Sequence, residues 1–146
     1  MKIKYITPLS ILLCLWINVG GSESNYKPSL PFSEYNLLRV IKQIGIAYPD
    51  VVLAQARLET GNFTSKVFRE NNNLFGMKLP RVRNTTAIGE QNSHADYASW
   101  RQSIADYKLW QDDVIAGIKS KRQYLSYLSK NYAEDKKYIN KLKKML

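Results

Sequence analysis

The stretch LAQARLETGNFTSKVFRENNNLFGMK, Leu53 to Lys78, sets one acidic residue, Glu59, at the end of a short helix. Asp50 is able to cap the helix start, and Val51 to Thr60 favour helix apart from their β-branched members. Gly61 then supplies the left-handed stop that ends many helices. A carboxylate in the last turn faces the negative end of the helix dipole. That position disfavours its ionised form and pushes its pKa upward, more so in an apolar cleft. A raised pKa is what a general acid needs, so Glu59 is the residue expected to carry chemistry. Gln55 lies four residues earlier on the same helical face, placed either to hydrogen-bond beside the acid or to line the same groove.

Upstream of this stretch, Ser33 offers an N-cap, and Leu37, Leu38, Ile41, Ile44 and Tyr48 recur at helical spacing until Pro49 ends the pattern. Downstream, a third short helix is predicted from Ser65 to Asn71. Between Leu74 and Tyr97 the helical period disappears. Gly76, Pro80, Gly89 and the Thr85-Thr86 pair mark short strands and turns there, with a hairpin bend between Gly89 and Ser93. Ser99 to Gln102 reads as a capping box, followed by a stripe of Trp100, Ile104, Tyr107, Trp110 or Gln111, Val114 and Ile118. Ser120 to Gln123 repeats the box before Tyr124, Leu125 and Leu128, and a last helix is predicted over about Asp135 to Met145. The expected class is mainly α with a small β-lobe, an α+β variant, inserted after the helix that bears the acid.

The motifs resemble a known family. Leu53-Ala54-Gln55-Ala56, Leu58-Glu59-Thr60-Gly61, Thr64-Ser65 and Asn72-Asn73-Leu74-Phe75-Gly76-Met77-Lys78 are similar to the endo-β-N-acetylglucosaminidase (glucosaminidase) domains of autolysins and flagellar-rod hydrolases, which cut bacterial peptidoglycan. Tyr97-Ala98-Ser99-Trp100, Ser103-Ile104 and Asp106-Tyr107 resemble a second segment of that family. Asn131-Tyr132-Ala133 with Asp135, Tyr138 and Lys141-Leu142 resembles its closing helix. The resemblance covers residues 33–146 and implies a lysozyme-like helical domain with a hairpin lobe. A sugar chain would lie between the two, with Glu59 on one wall and Leu74 to Tyr97 on the other.

Glycoside hydrolysis usually needs a second group besides the acid. The resemblance implies a β-lobe glutamate soon after paired threonines, but here Thr85-Thr86 is followed by Ala87-Ile88-Gly89, and a glutamate arrives only at Glu90. Glu90 is therefore a displaced candidate, Asp96 a weaker one, and the substrate's own N-acetyl group a third, oriented by Tyr97. For substrate binding, Phe75 and Trp100 join Gln55 as expected groove residues, while Asn73 is expected first to organise its loop and second to bind sugar amides. The periodicity makes Tyr107 and Trp110 core residues. The implied activity is endo-β-N-acetylglucosaminidase. The same fold also serves muramidases, lytic transglycosylases and catalytically lapsed wall-binding modules.

Lys2 and Lys4 precede an almost wholly apolar run from Ile6 to Val19, and Gly20-Gly21-Ser22 supplies small residues for cleavage. Residues 1–22 are thus read as a signal peptide, 23–32 as a short linker and 33–146 as the domain. The product is expected to be exported, periplasmic or secreted, and monomeric. Cys14, the single cysteine, lies within the leader, where Leu13 argues against a lipidation site. Without Lys2 and Lys4 of the leader the formal net charge falls from +10 to +8, which favours polyanionic partners, and its concentration in 119–144 points to anionic wall or membrane polymers as well as the glycan. Nucleic acid is excluded as the expected partner by the lack of zinc spacing, RNA-binding aromatic motifs or a phosphate loop. His94 stands apart from any second ligand, so neither metal nor cofactor is expected.

Overall fold

The computed structural model describes residues 30–132 and 135–146. The leader and most of the linker lie outside the described residues. Helix α1, Glu34–Gln43, starts where Ser33 Oγ accepts the Asn36 N–H and buries Leu37, Val40 and Ile41. Its end is set by Ile44 and by Gly45, whose φ of 72° suits glycine. Pro49 does not close a helix but opens one. Helix α2, Pro49–Glu59, places the proline at its first position, where the missing N–H leaves no bond unmade. Tyr48, at a left-handed φ of 54°, takes the capping position predicted for Asp50. Asp50 instead pairs with Lys121.

α2 is the central element: Val51, Val52, Leu53, Ala54, Gln55 and Ala56 are all buried. It packs on α1 on one side and on α6, Tyr138–Lys143, on the other. Helix α4, Trp100–Ile115, contributes Ile104 and Tyr107 to the same core, and α5, Lys121–Asn131, adds Tyr124 and Leu128. The two predicted capping boxes differ. At α5, Ser120 Oγ accepts the Gln123 N–H at 3.2 Å and Gln123 Oε1 accepts the Lys119 N–H at 2.7 Å. At α4 the Ser99 side chain makes no cap bond, and Gln102 Oε1 reaches back to the Ala98 N–H at 2.9 Å. The closing helix is shorter than the sequence pattern, because Asp135 holds the preceding turn through the Lys137 N–H and Lys141.

The β-lobe is an antiparallel pair, β1 Gly89–Gln91 and β2 His94–Asp96, in register Gly89 to Asp96 and Gln91 to His94. Its bend falls at Asn92 and Ser93, both at positive φ (51° and 56°), as a two-residue hairpin loop requires. The short α3, Lys66–Asn71, capped by Ser65, leads from α2 toward this lobe. A helical body with a small hairpin lobe is the lysozyme-like arrangement.

Candidate active site

Glu59 is the last residue of α2, and the chain turns sharply behind it. Gly61, Asn62 and Phe63 all lie at positive φ, between 55° and 65°. Thr60 holds this unusual run: its hydroxyl donates to Ala56 O at 2.5 Å and accepts the Phe63 N–H at 2.8 Å. Thr64 Oγ1 donates to Gly61 O at 2.7 Å. Polar residues that satisfy their own backbone thus allow a tight exit that leaves Glu59 at the rim of the core.

The opposite wall begins with three consecutive asparagines that stitch the hairpin to the body. Asn71 Nδ2 donates to Gln91 O at 2.5 Å, and Asn72 Nδ2 to Tyr97 O at 2.8 Å. Asn73 Nδ2 donates to Met77 O and Ala95 O, both at 2.9 Å, while its Oδ1 accepts the Phe75 and Met77 N–H groups. Asn73 is 1% exposed, its polar atoms are taken up by the loop, and it is not among the residues that line the cleft described below. This loop brings Gly76 against the acid. A Cβ there would lie 3.3 Å from Glu59 Oε2, at a φ of 63°.

Between the walls runs a cleft of about 680 Å³ lined by Glu59, Phe75, Gly76, Met77, Lys78, Pro80, Arg83, His94, Trp110, Asn131 and Tyr132. Burial pushes the Glu59 carboxyl pKa up, against the opposing pull of a hydrogen bond from Tyr138. Burial, reinforced by the Glu59 charge, also pushes the Tyr132 and Tyr138 phenols up, so both remain protonated donors at neutral pH. Tyr132 spends its hydroxyl on Phe75 O at 2.7 Å, fixing the loop backbone beside the acid. Among the described residues, Glu59 is the only carboxyl in the lining.

Other residues singled out by sequence lie elsewhere. Gln55 does not line the groove: it is fully buried, with Oε1 accepting from Tyr107 at 2.6 Å and Nε2 donating to Tyr138 at 3.2 Å. Trp100 is 7% exposed, packed on Phe32 with Nε1 donating to Leu30 O, and it does not line the cleft either. Tyr97, at 1% exposure, donates to Asp106 Oδ2 at 2.7 Å, so its hydroxyl is committed to a buried ion pair and is not free to orient a substrate. Glu90 is exposed and outside the cleft. Strand alternation and register put it with Ala95 on the face opposite His94, whereas Asp96 shares the His94 face without reaching the lining. Phe75 does lie at the cleft, almost wholly buried.

Trp110 and Tyr132 are lining residues that the motif reading did not assign to the groove, and Lys78 and Arg83 lie within the expected wall, Leu74 to Tyr97, without having been singled out. Trp110 shows why. It continues the core stripe of α4 but is only half-buried, packed on Tyr107, Tyr127 and Tyr132 with an edge left to the cleft. Arg83 is held by both Asp106 oxygens, at 2.8 and 2.9 Å. Burial raises the Asp106 carboxyl, but hydrogen bonds from Arg83, Thr85 and Tyr97 win and hold it below the usual range. The pair ties the loop after Pro80 to α4.

A protonatable carboxyl on one wall of a cleft between a helical body and a hairpin lobe fits a lysozyme-like glycosidase arrangement. The family described as mannosyl-glycoprotein endo-beta-N-acetylglucosaminidase matches residues 36–146, and the chain belongs to this glucosaminidase family of glycoside hydrolases. It is 35% identical over 68 residues to Protein bax of Escherichia coli strain K12, an alignment covering 47% of this chain and 25% of that protein. Among solved structures, the fold is similar to a chain in a type VI secretion system effector–immunity complex from Pseudomonas protegens. That match has a TM-score of 0.55 at 18% identity, covering 77% of this chain and 86% of the other. The catalytic domain of the autolysin Auto from Listeria monocytogenes matches with a TM-score of 0.50 at 21% identity, covering 81% and 85%.

Proposed function

We propose that this chain is an exported endo-β-N-acetylglucosaminidase that hydrolyses the β-1,4 bond after N-acetylglucosamine in peptidoglycan, with Glu59 as general acid. The observation that carries this reading is one desolvated carboxyl, with its pKa raised, the single one that the described residues bring to the cleft lining. Glu59 gives its proton to the glycosidic oxygen as the bond from that oxygen to the sugar C1 breaks. Among the described residues the lining holds no second carboxyl, which favours the substrate as source of the nucleophile: the carbonyl oxygen of its N-acetyl group bonds to C1 and forms an oxazolinium ring. Ionised Glu59 then takes a proton from water, whose oxygen attacks C1, reopens the ring and leaves the sugar with retained configuration. Trp110 offers a partly exposed aromatic ring to the sugar, and Lys78 a cation for acidic groups on the glycan.

The apolar run from Ile6 to Val19 supports export, and exposed Lys136, Lys137, Lys143 and Lys144 support adhesion to anionic wall or membrane polymers. Digestion of purified peptidoglycan, with mass spectrometry of the new reducing ends, tests the reading. N-acetylglucosamine ends support it. N-acetylmuramic acid ends reassign the chain as a muramidase, their 1,6-anhydro form as a lytic transglycosylase, and no release as a binding module.

A further inference from the structure

Behind Glu59, five buried side chains from four helices join in one hydrogen-bonded line. Gln111 of α4 donates from Nε2 to Tyr124 Oη of α5 at 3.0 Å, and the Tyr124 and Tyr107 hydroxyls meet at 2.5 Å. Tyr107 donates to Gln55 Oε1 at 2.6 Å, and Gln55 Nε2 donates to Tyr138 Oη at 3.2 Å. Each of these side chains is at most 5% exposed, so water is not a substitute partner.

The direction of the line is fixed at its far end. Gln111 is clamped by the Ala47 peptide: Oε1 accepts the Ala47 N–H at 2.8 Å and Nε2 donates to Ala47 O at 3.0 Å. Its amide cannot be turned over without setting donor against donor and acceptor against acceptor. Tyr124 therefore accepts from Gln111, and its own proton has only the Tyr107 oxygen to go to. Tyr107 in turn gives its proton to Gln55 Oε1, which aims Gln55 Nε2 at Tyr138. Turning Gln55 over would leave the Tyr124 proton without an acceptor in a buried site. Gln55 lies one turn before Glu59 on the same face of α2, and α2 packs on α6, so Tyr138, its oxygen already accepting from Gln55, has its proton free for the Glu59 carboxyl at the end of that helix.

We infer that Gln111, Tyr124, Tyr107, Gln55 and Tyr138 form a one-way hydrogen-bond chain that fixes which oxygen of Glu59 carries its proton. The oxygen that accepts from Tyr138 is occupied, so the transferable proton resides on the other. Tyr138 touches Glu59 and the other four act through it as positioning residues. The reasoning for the proton's role in catalysis rests on the general-acid reading; the orientation itself does not. Glu59 also faces Tyr132 beyond the end of α5, and Lys78, Arg83 and His94 across the cleft. Their charges are unchanged by substitutions within the chain.

The test is a carbon-13 NMR titration of the Glu59 carboxyl in the full chain, assigned by its loss in Glu59→Gln, alongside the pH profile of kcat/KM on peptidoglycan. A donor to a carboxylate favours ionisation, so Tyr138→Phe should move the Glu59 midpoint up by about one pH unit. The alkaline limb of kcat/KM should move with it, while kcat at the optimum falls roughly tenfold and KM changes little. Gln55→Met should do the same to a smaller extent. Gln111→Met, outside the cleft, should shift the midpoint in the same direction; Tyr124→Phe takes its place if that variant does not fold. A merely structural chain would lower Tm in each variant and leave the midpoint alone. A midpoint moving by less than about 0.2 unit in Tyr138→Phe, or moving down, overturns the inference. If Glu59→Gln stays active while Tyr138→Phe still shifts the titration, the chain stands and the general-acid reading is what fails.

Discussion

The helical wall of the cleft and the hairpin wall are stabilised by different means. On the helical side, Glu59 is backed by buried aromatic and amide side chains from α2, α4, α5 and α6, contacts between residues as many as 83 positions apart. On the hairpin side, β1 and β2 are three residues each, and the lobe is held by side-chain to backbone bonds from Asn71, Asn72 and Asn73 and by the Arg83–Asp106 pair. A dry, packed wall can shift a carboxyl's pKa and hold a proton in place. A wall of short, partly exposed strands does so less, because water screens its charges. On the proposed reading, acid chemistry belongs to the body and cleft shape to the lobe, and each side makes its own prediction.

The largest expected effect lies at the body's edge. Glu59→Gln keeps the size and the acceptor for Tyr138 but has no proton to transfer, so peptidoglycan turnover should fall by about 10² to 10⁴. Stability should move the other way. A carboxyl whose folded pKa lies above its unfolded one contributes stability below the unfolded value and loses it as pH rises through the folded value. At neutral pH Glu59 is therefore a net cost to the fold, and Glu59→Gln should have a Tm equal to or above that of the parent by calorimetry. A variant that is both active and less stable would show that the carboxyl is structural.

Asp106 probes the lobe's anchor. Its carboxylate is fully buried and accepts from Arg83 and Tyr97, so Asp106→Asn strands a guanidinium that is itself mostly buried. The expected loss is about 3 kcal/mol of unfolding free energy by denaturant titration. The sign with pH is opposite to that of Glu59. A depressed folded pKa adds stability above the unfolded value, near pH 4, that is lost as pH falls through the folded one. The parent should therefore lose stability steeply below about pH 4 and Asp106→Asn less steeply. Equal slopes would show that the pair does not hold the lobe.

How legible each wall was in the sequence follows from the same difference. The helix and the place of Glu59 at its end were readable because the signals are local: Gly61 after the helix, Ser65 as a cap and the asparagine run all act within a few residues. Pro49 misled because a proline serves equally to end one helix and to open the next, and only the left-handed Tyr48 decides between them. The lining of the cleft was less legible. Arg83 reaches Asp106 across 23 positions, and the roles of Gln55 and Tyr97 depend on partners 83 and nine positions away. Trp110 obeys the core periodicity and still shows an edge to the cleft, since a stripe on a helix names a face but not how completely the neighbours cover it.

A third prediction tests the point where the walls meet. Gly76 holds a φ of 63°, and any Cβ would press on Glu59 Oε2 at 3.3 Å. Gly76→Ala should cost about 1 kcal/mol from the left-handed backbone alone. The displaced carboxyl should lower kcat roughly tenfold with little change in KM. Loss of stability with normal kcat would mean the carboxyl shifts freely and the packing around it is looser than its burial implies.

The smallest effect is expected where the sequence had placed the second carboxylate. Glu90 is exposed, sits on the hairpin face opposite His94 and lies outside the cleft lining. If the substrate's N-acetyl group is the nucleophile, Glu90→Gln should change kcat/KM by less than about threefold, and added azide should rescue nothing. Asp96→Asn, measured in parallel, carries the sharper risk, because Asp96 shares the His94 face and a modest bend of the hairpin would bring it nearer the sugar. A 10²-fold loss in Asp96→Asn, with an azide product of inverted configuration, would move acid–base chemistry onto the lobe. The same loss in Glu90→Gln would require the hairpin to turn its other face inward on binding substrate. Either result would end the division between a chemical wall and a shaping wall, whereas small effects in both leave Glu59 and its buried support to carry the reaction.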